Sequence, residues 1–213
     1  DNEDNIYLSG FTKSSDFPYS ENAYAGGQGS NGYFLAKISS DLKQVIAATG
    51  ISKSGGSKYI AIDNSDNVFI TGSMVDPTFQ VSENAFDKIY GDGTYETFIM
   101  KFDSNLTTLL SSTFIGGNAN DDVRGIAIDQ SQNIFVVCST HSTDFQVSEN
   151  AFDSLFVGSN EAYILKTNND LTTLLSSTFI GGDNVDGIFD IKLDSVGDVV
   201  VAGDTSSVNF PII

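Results

Sequence analysis

Three short stretches concentrate oxygen donors. Asp1-Asn-Glu-Asp-Asn5, Asp63-Asn-Ser-Asp-Asn67 and Asn118-Ala-Asn-Asp-Asp122 each gather carboxylates and amides, the ligands that Ca2+ takes in sets of about 6 to 8. On that reading Asp63, Asp66, Asp121 and Asp122 are the candidate metal ligands, and Ca2+ is the one cofactor the sequence suggests. None of the three has the D-x-[DN]-x-[DN]-G spacing with its distant Glu. Asp and Asn in turns also cap local amides, so both uses stay open at this level.

A second set of residues recurs at matching places. Lys37, Lys101 and Lys166 are equivalent, and in a chain with few cations they invite pairing with turn acids such as Asp63 or Asp129. Asp63 and Asn67 correspond to Asp129 and Asn133. Phe17, Phe79, Phe145 and Phe210, with Tyr24, Phe86 and Phe152, recur in one long connection. Their rings either pin that connection by burying area or offer a stacking platform for glycans.

Catalytic parts are few. His141 and Arg124 are each single and unmatched in the other copies, which leaves a histidine-based triad or metal cluster without partners. Carboxylates are plentiful enough for an Asp/Glu glycosidase, yet a reaction centre would break the repeat and the two best copies are nearly interchangeable, so the chain reads as non-enzymatic. The single Cys138 forbids an intramolecular disulfide and any multi-cysteine metal site. It aligns with Gly10, Gly72 and Gly203, as a crowded strand position requires. Asn105-Leu-Thr107 is one glycosylation acceptor.

Repetition names the elements that carry these residues. LTTLLSSTFIGG at 106–117 returns at 171–182, and FQVSENAFD at 79–87 returns at 145–153. Asn5, Asn67, Asn133 and Asp198 begin equivalent segments 62, 66 and 65 residues apart. The third copy predicts four strands, at 125–129, 134–139, 162–167 and 174–180, each rich in β-branched or aromatic residues between turn formers. No stretch keeps helical spacing. The expected fold is all-β: repeated four-stranded antiparallel meanders, the blades of a β-propeller, with a β-solenoid as the alternative. One array fills 1–213, in units 1–63, 64–129, 130–194 and a partial 195–213.

That gives about three and a quarter blades, whereas rings close with roughly 4 to 8. The expected partners are therefore other repeats of the same chain or other copies of it, with segment 187–206 able to donate a strand to the first unit of another copy. Acids number 28 against 10 basic residues, for a net charge of −18, which opposes nucleic acid and anionic membranes. No apolar run approaches the roughly 20 residues of a membrane span, so membrane insertion is not expected, and any secretion leader would lie outside these residues.

Several strings together, GIAIDQSQNIFVV from Gly125, STDF from Ser142, Ala151-Phe152, Tyr163-Ile-Leu-Lys166 and Phe179-Ile-Gly-Gly182, resemble the SBBP beta-propeller repeat of bacterial and archaeal proteins. The resemblance implies an extracellular or cell-surface location and a repeat module with no assigned reaction: a scaffold, adhesin or assembly unit, as an oligomer or filament. Gln80 and Gln146 stand where the pattern has the Pro that Pro18 and Pro211 keep, and the first copy reads Ala47-Ala-Thr-Gly-Ile51 in place of STFxGG. The other functional expectations are a glycan-binding propeller and a polysaccharide hydrolase or lyase using loop carboxylates.

Overall fold

Thirteen short strands follow one another with no helix among the described residues. The structure, a computed structural model, describes residues 1–24, 32–52, 54–76 and 79–211; the last two residues of the 1–213 array lie outside them. Strands β1 (Ile6–Thr12), β2 (Gly32–Ile38) and β3 (Val45–Ser52) form the first sheet. The second holds β4 (Gly55–Ile62), β5 (Val68–Met74), β6 (Glu96–Phe102) and β7 (Leu109–Ile115). The third holds β8 (Asp121–Ile128), β9 (Ile134–Thr140), β10 (Glu161–Thr167) and β11 (Leu174–Ile180), and the fourth β12 (Asp186–Leu193) with β13 (Val199–Thr205). Every sheet is an antiparallel meander of sequence neighbours, so the architecture is that of propeller blades. One boundary differs from the sequence reading. Asp121 and Asp122, taken there as the end of an acidic turn, are the first residues of β8, opposite Thr140 and Ser139.

Turn chemistry repeats from blade to blade. Between the first two strands of a blade, Asp4, Asp66 and Gln132 take φ of 60°, 61° and 65°, and Gly197 takes 93°. The amide of Asp66 reaches the carbonyl of Asp63 at 3.0 Å, and the amide of Asp63 that of Asn67 at 3.0 Å, which closes a tight hairpin loop. Between the third and fourth strands the left-handed position is a leucine: Leu42, Leu106 and Leu171 have φ of 61°, 59° and 59°. Left-handed backbone costs a leucine roughly 1–2 kcal/mol, so its side chain must return more than that.

Leu106 and Leu171 do so between blades, where the core lies, while Leu42 stays exposed. Successive strand residues face opposite sides, and a central blade buries both. Leu35, Ala47 and Ile51 of the first sheet meet Val68, Ile70, Phe98 and Leu106 of the second. Phe69, Ile99 and Ile115 on the second sheet's other face meet Val123, Val136, Tyr163 and Leu171 of the third. Phe135, Val137 and Ala162 then meet Ile188 and Ile191 of the fourth. Strands β6 and β9 are buried at every residue, including the polar Glu96, Thr97, Lys101, Ser139 and Thr140, while β13 is exposed at all but one.

Candidate functional site

The recurring lysines and turn acids are brought together. Lys37 lies 2.9 Å from Asp1, Lys101 3.9 Å from Asp63, and Lys166 3.0 Å from Asp129. Register sets each lysine opposite a ring on the neighbouring strand, so its ammonium stands 5.5 Å from the centroid of Tyr7, 5.4 Å from Phe69 and 4.8 Å from Phe135. Lys101 and Asp63 keep only 8% and 4% of their side-chain exposure, so this is a buried joint rather than a weak surface pair. Asn169, from the third blade, donates to Asp63 at 3.3 Å and accepts from Lys101, locking the second blade to the third. Burial opposes ionisation of Asp63, but donors from Asn67 and Ser65 outweigh it and hold the carboxyl below its usual range.

The four candidate metal ligands occupy two separate places. Asp63 caps its own turn; Asp66 sits at the left-handed position and accepts from the amide and side chain of Asn2, both at 3.0 Å. Asp121 is buried and accepts from Thr140, from Ser142 at 2.9 Å and from the amide of Gly117 at 3.0 Å. Asp122 turns to the other face of β8, where Ser73, Lys58 and Arg124 surround it. Among the described residues no group of three or more His, Cys, Asp and Glu side chains is arranged to hold a metal ion.

The repeated aromatics divide in two. Phe79 stacks on Phe98 and Phe114, Phe145 on Tyr163 and Phe179, and Phe17 on Phe34, each pinning the long connection to its own blade. Those rings explain the small strand residues opposite: Gly10, Gly72 and Cys138 face Phe34, Phe98 and Tyr163, and a Cβ on Gly10 would stand 2.9 Å from the Phe34 ring. Cys138 is fully buried, and burial pushes its thiol well above the ordinary value, which leaves it inert. The second ring of the connection reaches the next blade: the amide of Tyr24 donates to Leu106 at 3.3 Å and that of Phe86 to Leu171 at 3.0 Å.

Beside Phe86 a cleft of about 380 Å3 opens at the junction of the second and third blades, walled by Tyr90, Asp87, Asp92, Asp144, Asn118 and Gln146. Its floor is the Gly116-Gly117 pair. A Cβ on Gly116 would fall 1.4 Å from a carboxylate oxygen of Glu96, so the glycine exists to admit that buried acid. Burial, then the charge of Asp121, push Glu96 up to about 9, and burial pushes Asp121 to about 6. Sequence reading missed Glu96 and its counterpart Glu161, although both stand at the same place ahead of a Gly-Gly pair. Asp121, Thr140 and Ser142 at this joint recur as Asp186, Thr205 and Ser207 at the next.

Residues 107–146 match the family model of the SBBP beta-propeller repeat. The SBBP match runs from the turn before β7 through Gly116-Gly117 and Asp121 to Thr140, Ser142 and Asp144, and so spans a joint between blades. Among solved structures, a protein of unknown function from Bacteroides caccae, determined at 1.35 Å, is similar with a TM-score of 0.49 and 14% identity; the match covers 83% of this chain and 48% of that one. The chain thus spans about half the length of that protein. No curated protein matches the chain in sequence.

Proposed function

We propose that the chain is a non-enzymatic scaffold or assembly module of the cell surface, whose two outer blades receive further blades from other repeats or other copies. One observation carries this. The joint made by Phe86 and Leu171, and again by Tyr24 and Leu106, is left as bare halves at the two ends of the array: Leu42 of the first blade is 69% exposed and Phe152 of the third 64%. Strands β1 and β13, which occupy the position flanked on both sides in complete blades, each keep one edge unpaired among the described residues. Open edges take strands. Asp194 likewise repeats the turn acid that the other blades pair with a lysine, and among the described residues it has no such ion pair.

The surface location is what the resemblance to the SBBP repeat implies. A second reading, glycan binding without turnover, draws on the cleft, where Tyr90 and Phe86 stand beside carboxylates and amides, a lining suited to sugars.

Light scattering across a concentration series tests the main reading. The expected result is head-to-tail association that strengthens with salt, since −18 on each copy repels until screened, and that is lost in Phe152→Asp and in Leu42→Asp. A folded wild type of single-chain mass at every concentration and salt level would overturn association between copies.

A further inference from the structure

The junction of the third and fourth blades buries two acids that the assembly reading does not use. Glu161 opens β10 and Asp186 opens β12, and each is 1% exposed. Asp186 is well supplied with donors: the Thr205 hydroxyl at 2.5 Å, the Ser207 hydroxyl at 2.8 Å and the amide of Gly182 at 2.7 Å. Glu161 is not. The amides of Val157 and Gly158 both go to its Oε1, at 2.6 and 2.7 Å, and its Oε2 has no hydrogen-bond partner. The two carboxyls converge over Gly181, where a Cβ would lie 2.9 Å from Glu161 Cγ and 3.0 Å from Asp186 Oδ2.

The other charged groups that act on Glu161 are acids as well: Asp186 from β12 and Asp153 from the connection between β9 and β10. No ion pair among the described residues involves Glu161, Asp186 or Asp153. A buried anionic oxygen without a donor is costly, whereas a neutral carboxyl has a proton to give, and Asp186 lies across Gly181 from it. The pairing of buried acids beside a Gly-Gly is built rather than accidental, since Glu96, Asp121, Gly116 and Gly117 repeat it one blade earlier; there both Glu96 oxygens accept an amide, from Gly91 and Thr97, and the oxygen without a donor is peculiar to Glu161. The first junction has Gly32 and Gly55 at the two positions and lacks the pair.

We propose that Glu161 is held as the neutral acid of a Glu161–Asp186 pair, which makes the joint between the third and fourth blades tight in acid and loose in base. Burial, which raises the pKa of Glu161 above the ordinary glutamate value, agrees with this. A raised group takes up a proton on folding, so its stabilisation is complete below the ordinary value of 4.5 and is lost as pH rises through the raised one. Asp63 and Asp129, whose pKa values are lowered, act in the opposite sense and only at the acid end.

Thermal melts of the wild type and Glu161→Gln between pH 5 and pH 9 test the proposal. Gln keeps the acceptor for Val157 and Gly158 and supplies the N–H that the protonated acid supplies as O–H. The expected result is a melting temperature for Glu161→Gln within about 2 °C of wild type at pH 5 and at least about 4 °C above it at pH 8.5. A variant that melts lower than wild type at pH 8.5 overturns the proposal. So does a wild type stabilised at that pH by CaCl2 in a manner Glu161→Gln abolishes, which would put a cation where the proton is placed. If the variant does not fold, the 13C carboxyl shift of Glu161 in the wild type, followed across pH, decides: a titration displaced above the ordinary glutamate value supports the neutral acid, and one at or below it refutes the proposal.

Discussion

Replacing Leu106 or Leu171 with alanine is expected to lower the melting temperature by roughly 5–15 °C, while Leu42→Ala leaves it within about 2 °C. All three leucines hold the same left-handed backbone, with φ near 60°, so the strain of an alanine there is common to all and cancels. What differs is the next blade. Leu106 and Leu171 are wholly buried, each under the connection of the preceding blade, whereas Leu42 is 69% exposed. Emptying a buried leucine site costs about 2–5 kcal/mol, and each kcal/mol moves the midpoint of a chain this long by about 2–4 °C. Exposed substitutions stay within about 0.5 kcal/mol. Equal losses at all three positions, followed by scanning calorimetry, would mean that the turns matter only within their own blades.

Tyr163→Ala is the second large effect, expected to cost about 3–5 kcal/mol. The ring is 1% exposed and packs against Phe145 at 4.2 Å and Phe179 at 5.3 Å, tying the long connection of the third blade to two of its strands. Its hydroxyl donates to the carbonyl of Gln146. Tyr163→Phe removes one of two donors to that carbonyl, since the Ser177 hydroxyl still donates to it at 2.8 Å, and should cost about 1 kcal/mol or less. The equivalent Phe98 shows that a blade accepts the ring alone: it packs on Phe79 and faces Phe114 across the strand pair, and the Gln80 carbonyl takes its donor from Ser112 at 2.9 Å. Denaturant melts that place Tyr163→Ala and Tyr163→Phe at the same midpoint would contradict this division between packing and hydrogen bond.

The strand plan was legible because each apolar run ends at a residue whose side chain closes a turn: Asp63 over Asn67, Asp129 over Asn133, Asp103 over Thr107 and Thr108. The start of β8 was not, because Asp121 and Asp122 are polar and have the composition of a loop. Only its pairing with β9 in the same sheet shows that Asp121 is a buried acceptor for Thr140 and Ser142. The same holds for Glu96 and Glu161, whose burial depends on glycines some 20 residues away in sequence. Lys37, Lys101 and Lys166 could be matched to the turn acids by repeat position. That Lys101 and Asp63 are sealed under Asn169 of the following blade is a property of stacking, which no single repeat encodes.

Stacking of successive sheets about a shared centre is the claim on which the rest depends. Above Gly125 of β8, a Cβ would lie 2.8 Å from Ile191 Cγ2 and 3.3 Å from Val137 Cγ2, so methyl groups of the third and fourth sheets meet there. A methyl-labelled sample should therefore give a strong nuclear Overhauser contact between Ile191 and Val137. If that contact is missing while the within-sheet pair Ile164 and Val137 is clearly seen, the blades do not pack as described.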